Sequence, residues 1–256
     1  MSGVAASSDQ HGSAGERGTV NATVEAPPIP REEIPEICSL GIEAFTTTRA
    51  AGTFGTGGNE PVSEVMARWN ALIAELRPHA PRFATASQVR GTRVITHTDG
   101  WAGWLRVSAA DGHIAISPGA AFAVTVADCV PVFIAHPSGA VALLHSGWRG
   151  TAGRITEAAL AALSRLGFPP GELHIHLGPS ICGSCYEVSP DVHAQLTGRT
   201  VSAPTPVDLR SIIASHARAA GVRHITISPF CTRHHNDRFF SHRAGDTGRQ
   251  IAVISP

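Results

Sequence analysis

The chain has no lysine; all 20 of its basic residues are arginine. That excludes Schiff-base chemistry on a lysine amine and a Walker-type phosphate loop, which needs its lysine. Net charge is also missing, because 20 acidic residues balance the 20 basic ones. No general field therefore draws the protein to nucleic acid or to an anionic membrane. Long apolar runs are absent as well. The most apolar stretch, residues 119–135, carries Asp128 and Pro131 and does not read as a membrane span. Five cysteines are an odd set without secretory context, so they are expected to be reduced in a cytoplasmic protein. Residues 1–30 lack the apolar core of a signal peptide. Small, polar and ending in proline, they are expected to form a disordered tail ahead of one domain spanning 31–256.

What is present is enough for a sizeable core: 256 residues, 43% of them hydrophobic. Abundant alanine, glycine and arginine without lysine point to a GC-rich genome of the actinobacterial kind. The centre of the chain holds two apolar, β-rich runs, AAFAVTV (120–126) and AVALLHS (140–146), which read as buried strands. A Cys-Pro turn and VFIA lie between them. Residues 40–49 and 83–100 read as further strands. Val62 to Leu76 repeats apolar residues at helical spacing and stops near Pro78. A second helix is predicted over 151–167, with Thr151 as N-cap and Gly167 as stop. A third is predicted over Asp208–Ala220, closed by Gly221. Strands interleaved with only three helices imply an α+β class, compact and layered.

Candidate chemistry gathers around the central runs. The two strands should bring the Cys129 thiol and the His145 imidazole together, with Asp128 beside the thiol and Trp148-Arg149-Gly150 after the histidine. A cysteine beside a histidine and arginines would be a reactive thiolate. His174 and His176 share one strand face and are expected to be surface residues. Cys182 and Cys185 form a CxxC in a Gly/Pro-marked loop. With no second pair recognised, it argues only weakly for zinc or redox use.

Several motifs coincide in one order: TVADCVPV, HSGWRG, GPSICGSCYEV, CT and FFSHRAGDTGR. Over residues 38–256 the chain resembles the YfiH-type family, also called the laccase-domain or polyphenol oxidase family. The resemblance implies a layered αβ fold shared at a distance with cysteine hydrolases. It also implies purine nucleoside phosphorolysis, adenosine deamination, copper oxidase activity or peptidoglycan-precursor editing. It further implies a zinc held by two histidines and a cysteine, with Cys129 and His145 as two of the ligands and Arg149 facing an anion such as phosphate. Gln88, Asp128, Arg243 and Arg249 are candidate substrate-binding residues alongside.

The third zinc ligand normally falls in Gln-Val-His-Gly, and here that segment is Gln88-Val89-Arg90-Gly91. Arginine stays protonated and offers a metal no lone pair. Zinc is therefore expected to be weakly bound or absent. Copper is disfavoured, since several coppers need many paired histidines and the one His-x-His lies on a single short strand. Three readings stay open. One is a metal-assisted enzyme on a purine-nucleoside-like or heterocyclic substrate, with His97, His113 or His242 replacing the lost ligand. Another is a metal-free enzyme of specialised metabolism using Cys129, His145 and, as a fixed cation, Arg90. The last is a non-catalytic binding protein. In all three the partner is a small molecule, not nucleic acid or membrane.

Overall fold

A computed structural model describes residues 28–256. Most of the tail expected to be disordered lies outside the described residues. In chain order the strands are β1 (Arg31–Glu33), β2 (Glu43–Thr47), β3 (Arg82–Ala86), β4 (Val94–Thr96), β5 (Gly103–Val107), β6 (Gly112–Ala115), β7 (Ala120–Val126), β8 (Val130–Ala135), β9 (Val141–Ser146), β10 (His174–Leu177), β11 (Glu187–Val188), β12 (Thr205–Pro206), β13 (His224–Ile227) and β14 (Gln250–Ser255). The helices are α1 (Pro35–Cys38), α2 (Val62–Leu76), α3 (Trp148–Ala152), α4 (Ile155–Arg165), α5 (Pro190–Thr197) and α6 (Leu209–Ala219).

Two six-stranded sheets carry the fold, in the orders β1-β2-β14-β7-β3-β5 and β13-β10-β8-β9-β6-β4. Side chains alternate along each strand, and the alternation sorts them into layers. On β7, Phe122, Val124 and Val126 point into the space between the sheets, where Phe133, Val141 and Leu143 of the second sheet meet them. Ala121 and Ala123 point outward, against Trp69 and Leu72 of α2. On β9, Ala142 and Leu144 face outward, toward Leu160 of α4 and Ile213 of α6. The result is α2, sheet, sheet, then α4 with α6. The mixed α+β class with few helices is therefore correct.

Helix bounds follow local chemistry. α2 buries Val65, Trp69, Leu72 and Leu76 along one stripe, as its periodicity predicts. The Asp208 carboxylate caps α6 by accepting from the Arg210 and Ser211 backbone N–H groups. The helix predicted over 151–167 is instead two. α3 starts after Gly147, and α4 starts after Arg154, whose φ of 67° breaks the helical path. The break has a packing reason. A Cβ on Gly153 would lie 2.6 Å from Thr92 Cγ2, so the end of α3 is pressed against the segment that follows Gly91. VFIA, expected after a turn, belongs to β8 in the second sheet. His176 is buried, not on the surface, and its Nδ1 bonds Thr226 Oγ1 at 2.8 Å.

Candidate functional site

β7 belongs to one sheet and β8 to the other, so Ala127-Asp128-Cys129 is the crossing between them. β8 and β9 then pair antiparallel with Val130 opposite Ser146. That register carries Cys129 to Gly147 and sets it beside His145. A Cβ on Gly147 would stand 2.9 Å from the Cys129 sulfur, so the thiol occupies space only a glycine leaves open. His145 has the strand parity of Val141 and Leu143, so its ring faces the inter-sheet space.

β6 pairs with β9 on the other side, Gly112 opposite Leu144, which puts Asp111 next to His145. Asp111 is fully buried. Its Oδ1 bonds His145 Nδ1 at 2.8 Å and accepts the Arg90 N–H at 3.0 Å. Its Oδ2 accepts the Gly91 N–H at 2.7 Å and the Val89 N–H at 3.2 Å. One carboxylate thus orients the imidazole and clamps the Val89-Arg90-Gly91 turn. Burial works against its charge, but the bonds from His145, Gly91 and Arg90 hold its carboxyl below the usual range. For His145, burial also opposes charge, yet its contacts with the Cys129 sulfur and the Asp111 carboxylate outweigh it and raise the imidazole to about 9.

Asp111 escaped the sequence reading because Asp-Gly there signals a turn. Its contact with His145 reaches 34 residues along the chain to a strand neighbour. The only signal was an acidic residue directly preceding a strand.

A cavity of about 370 Å³ opens over these groups, within the usual range for small-molecule sites. Cys129, His145, Arg90, Arg149, Gln88, Asp128, Arg243 and Arg249 all line it. Their side chains are not equally available. The Gln88 amide is spent on β7: its Oε1 accepts from the Thr125 N–H and hydroxyl, and its Nε2 donates to the Thr125 carbonyl. Asp128, held at a left-handed φ of 81°, accepts from Thr232 Oγ1 at 2.6 Å and from the Arg243 N–H at 2.7 Å. The Arg243 guanidinium donates to the Glu187 carbonyl, and that of Arg249 donates to the carbonyls of Asp246, Thr247 and Gly248. Arg90 and Arg149 differ. Among the described residues neither guanidinium has a hydrogen-bond or carboxylate partner, and Arg149 lies 4.2 Å over the Trp148 ring. Tyr186, the chain's single tyrosine, forms another wall. Burial, helped by the nearby Cys129 and Asp128 charges, pushes its phenol up to about 12, so it stays protonated.

Of the histidines considered as replacement ligands, His97 and His113 bond each other at 2.9 Å beside Phe122 and do not line the cavity. His242 does line it. Among the described residues, however, Cys129, His145 and His242 do not come together as a metal-ligating trio. With Arg90 at the remaining place, the donor set fits neither a three-ligand zinc nor a group of coppers. Among the described residues, the one cluster able to hold a metal lies elsewhere: Cys182, Cys185, Cys231 and His234. Cys231-x-x-His234 is the second pair that the sequence reading did not recognise.

The layered fold and the arginine-rich cavity between its sheets define an α+β protein with a small-molecule site. The chain belongs to the family described as multi-copper polyphenol oxidoreductase laccase, which matches residues 48–256. A purine nucleoside phosphorylase of Deinococcus radiodurans is 33% identical over 250 residues, spanning 90% of this chain and 94% of that protein. The crystal structure of YlmD from Geobacillus stearothermophilus superposes with a TM-score of 0.79 at 28% identity, covering 90% of this chain and 99% of that one. Bacillus licheniformis YfiH has the same fold, with a TM-score of 0.81 at 24% identity over 89% of this chain and 97% of its own. The resemblance to the YfiH family is thus established. No helix among the described residues is long and apolar enough to cross a membrane.

Proposed function

We propose that this chain is a purine nucleoside phosphorylase that works at its Cys129–His145–Asp111 site without a metal there. The observation that carries the reading is the pairing, in one cavity, of a charged, oriented imidazole with two unpaired guanidiniums, Arg90 and Arg149. Two fixed cations suit an oxyanion such as phosphate. The relative from Deinococcus, named for that reaction, supports the same substrate class.

In this mechanism Arg90 and Arg149 hold phosphate against the ribose. A phosphate oxygen forms a bond to C1′ while the C1′–N9 bond breaks, and the electron pair leaves with the purine. His145 delivers its Nε2 proton to the departing base, so that no purine anion has to form. Asp111 fixes the ring angle and, with the neighbouring Cys129 sulfur, keeps the imidazole protonated. The cavity walls, Tyr186 and Trp148, exclude water that would compete with phosphate.

The test is release of free base from adenosine or inosine, with and without phosphate, and detection of ribose 1-phosphate. Phosphate-dependent release is expected. Arg149→Gln should raise the phosphate KM about ten- to a hundredfold, as for loss of a charge-assisted hydrogen bond worth ~1.5–3 kcal/mol. Base release at the same rate without phosphate would exclude phosphorolysis in favour of hydrolysis.

A further inference from the structure

Outside the cavity, four soft donor side chains converge. Cys182 and Cys185 stand on the loop that follows β10; Cys231 and His234 stand on the loop that follows β13. Their ligand atoms all lie within 4.8 Å of one another. The two strands are parallel neighbours, and the pairing runs on past them. Ser180 bridges to Cys231, and the Thr232 N–H donates to the Ser180 carbonyl at 3.1 Å. Strand pairing therefore fixes the approach of the two loops. The Cys182 N–H points at the Cys231 sulfur at 3.3 Å, and Cys185 Sγ lies 3.2 Å from His234 Nε2. No disulfide joins any of the three cysteines.

We propose that Cys182, Cys185, Cys231 and His234 form a tetrahedral Cys₃His zinc site with a structural role. Three thiols and one imidazole are the donor set of closed structural zinc, and the two ligand pairs each have the spacing of a metal-binding turn. A tetrahedron with Zn–S bonds of about 2.3 Å has sulfur–sulfur edges of about 3.8 Å, which the observed separations can accommodate with small side-chain shifts. Four protein ligands leave no open position, so the ion holds structure and activates no water. Binding releases the thiol protons to solvent as the thiolates form. The site would act as a staple behind the cavity. One loop carries Ile181 and Tyr186 into the cavity wall, and the other carries Thr232, whose hydroxyl holds Asp128 next to Cys129. The inference does not depend on which reaction the cavity performs.

The test uses the full chain purified without chelator, with zinc per chain measured by plasma mass spectrometry. One tightly held equivalent is expected, retained in Cys129→Ala. It should be lost in His234→Ala, a change at an exposed side chain that leaves the core intact, and recovered in His234→Cys. Loading the apoprotein with Co²⁺ should give the intense visible bands of tetrahedral cobalt thiolate in wild type and Cys129→Ala, but not in His234→Ala. Zinc that persists in His234→Ala and disappears in Cys129→Ala would overturn the assignment. So would copper or iron in place of zinc, or a disulfide from Cys182 to Cys185 or Cys231 in protein purified under reducing conditions.

Discussion

At the scale of single residues, the neighbours of His145 decide its charge. The imidazole is buried, which by itself would make it neutral, but the Cys129 sulfur and Asp111 hold it protonated to about 9. The pKa is raised above the ordinary 6.5, so the stability this charge contributes is complete below pH 6.5 and is lost as pH rises through about 9. Followed by NMR, the His145 ring is expected to titrate near 9 in wild type and lower in Cys129→Ala, which removes the neighbour that raises it most. An unchanged midpoint in that variant would assign the charge to Asp111 alone. Arg90 tells a related story. It sits at a left-handed φ of 61°, on a turn pinned by Asp111, so its backbone is fixed while its guanidinium has no partner among the described residues.

At the scale of elements, the site exists because three strands meet in register. β8 sets Cys129 against Gly147, and β6 sets Asp111 against His145, so β9 is flanked by both partners of its own histidine. Gly147 is a tight point of this arrangement, with an ordinary φ of −82°, so its need for glycine is one of space and not of backbone freedom. Gly147→Ala would push a methyl to 2.9 Å from the sulfur. Overpacking of this kind costs about 1–3 kcal/mol of stability, and a thiol displaced by about 1 Å should cost on the order of a hundredfold in kcat/KM. Assays of kcat/KM beside thermal melts check both. Full activity with an unchanged melting temperature would show that the thiol has room to move.

At the scale of the whole molecule, the space between the two sheets holds both the packed interior and the cavity. Its middle is filled by the fully buried Phe122 against Phe133 and Leu143; its end opens as the cavity. Phe122 also stacks on the buried His97–His113 pair. There burial, reinforced by His97, pushes His113 down to about 3 and keeps it neutral. Phe122→Ala should therefore destabilise the fold by about 3–5 kcal/mol, measured by denaturant unfolding. A loss below about 1 kcal/mol would mean that the two sheets do not share one packed interior.

The sequence by itself determined the elements whose signals are local. The stripe of α2, the Asp208-capped α6 and the runs of β7 and β9 depend on neighbours a few residues away, and each formed where its periodicity said. Cys129 and His145 were legible because both lie in one short, distinctive segment. Only the tertiary structure decided what depends on distant partners. It paired His145 with Asp111 across 34 positions and Cys185 with His234 across 49. It also tied up the side-chain hydrogen bonds of Gln88, Asp128, Arg243 and Arg249 while leaving Arg90 and Arg149 without partners among the described residues. Strand register and loop crossing set these contacts, and neither leaves a periodic trace along the chain.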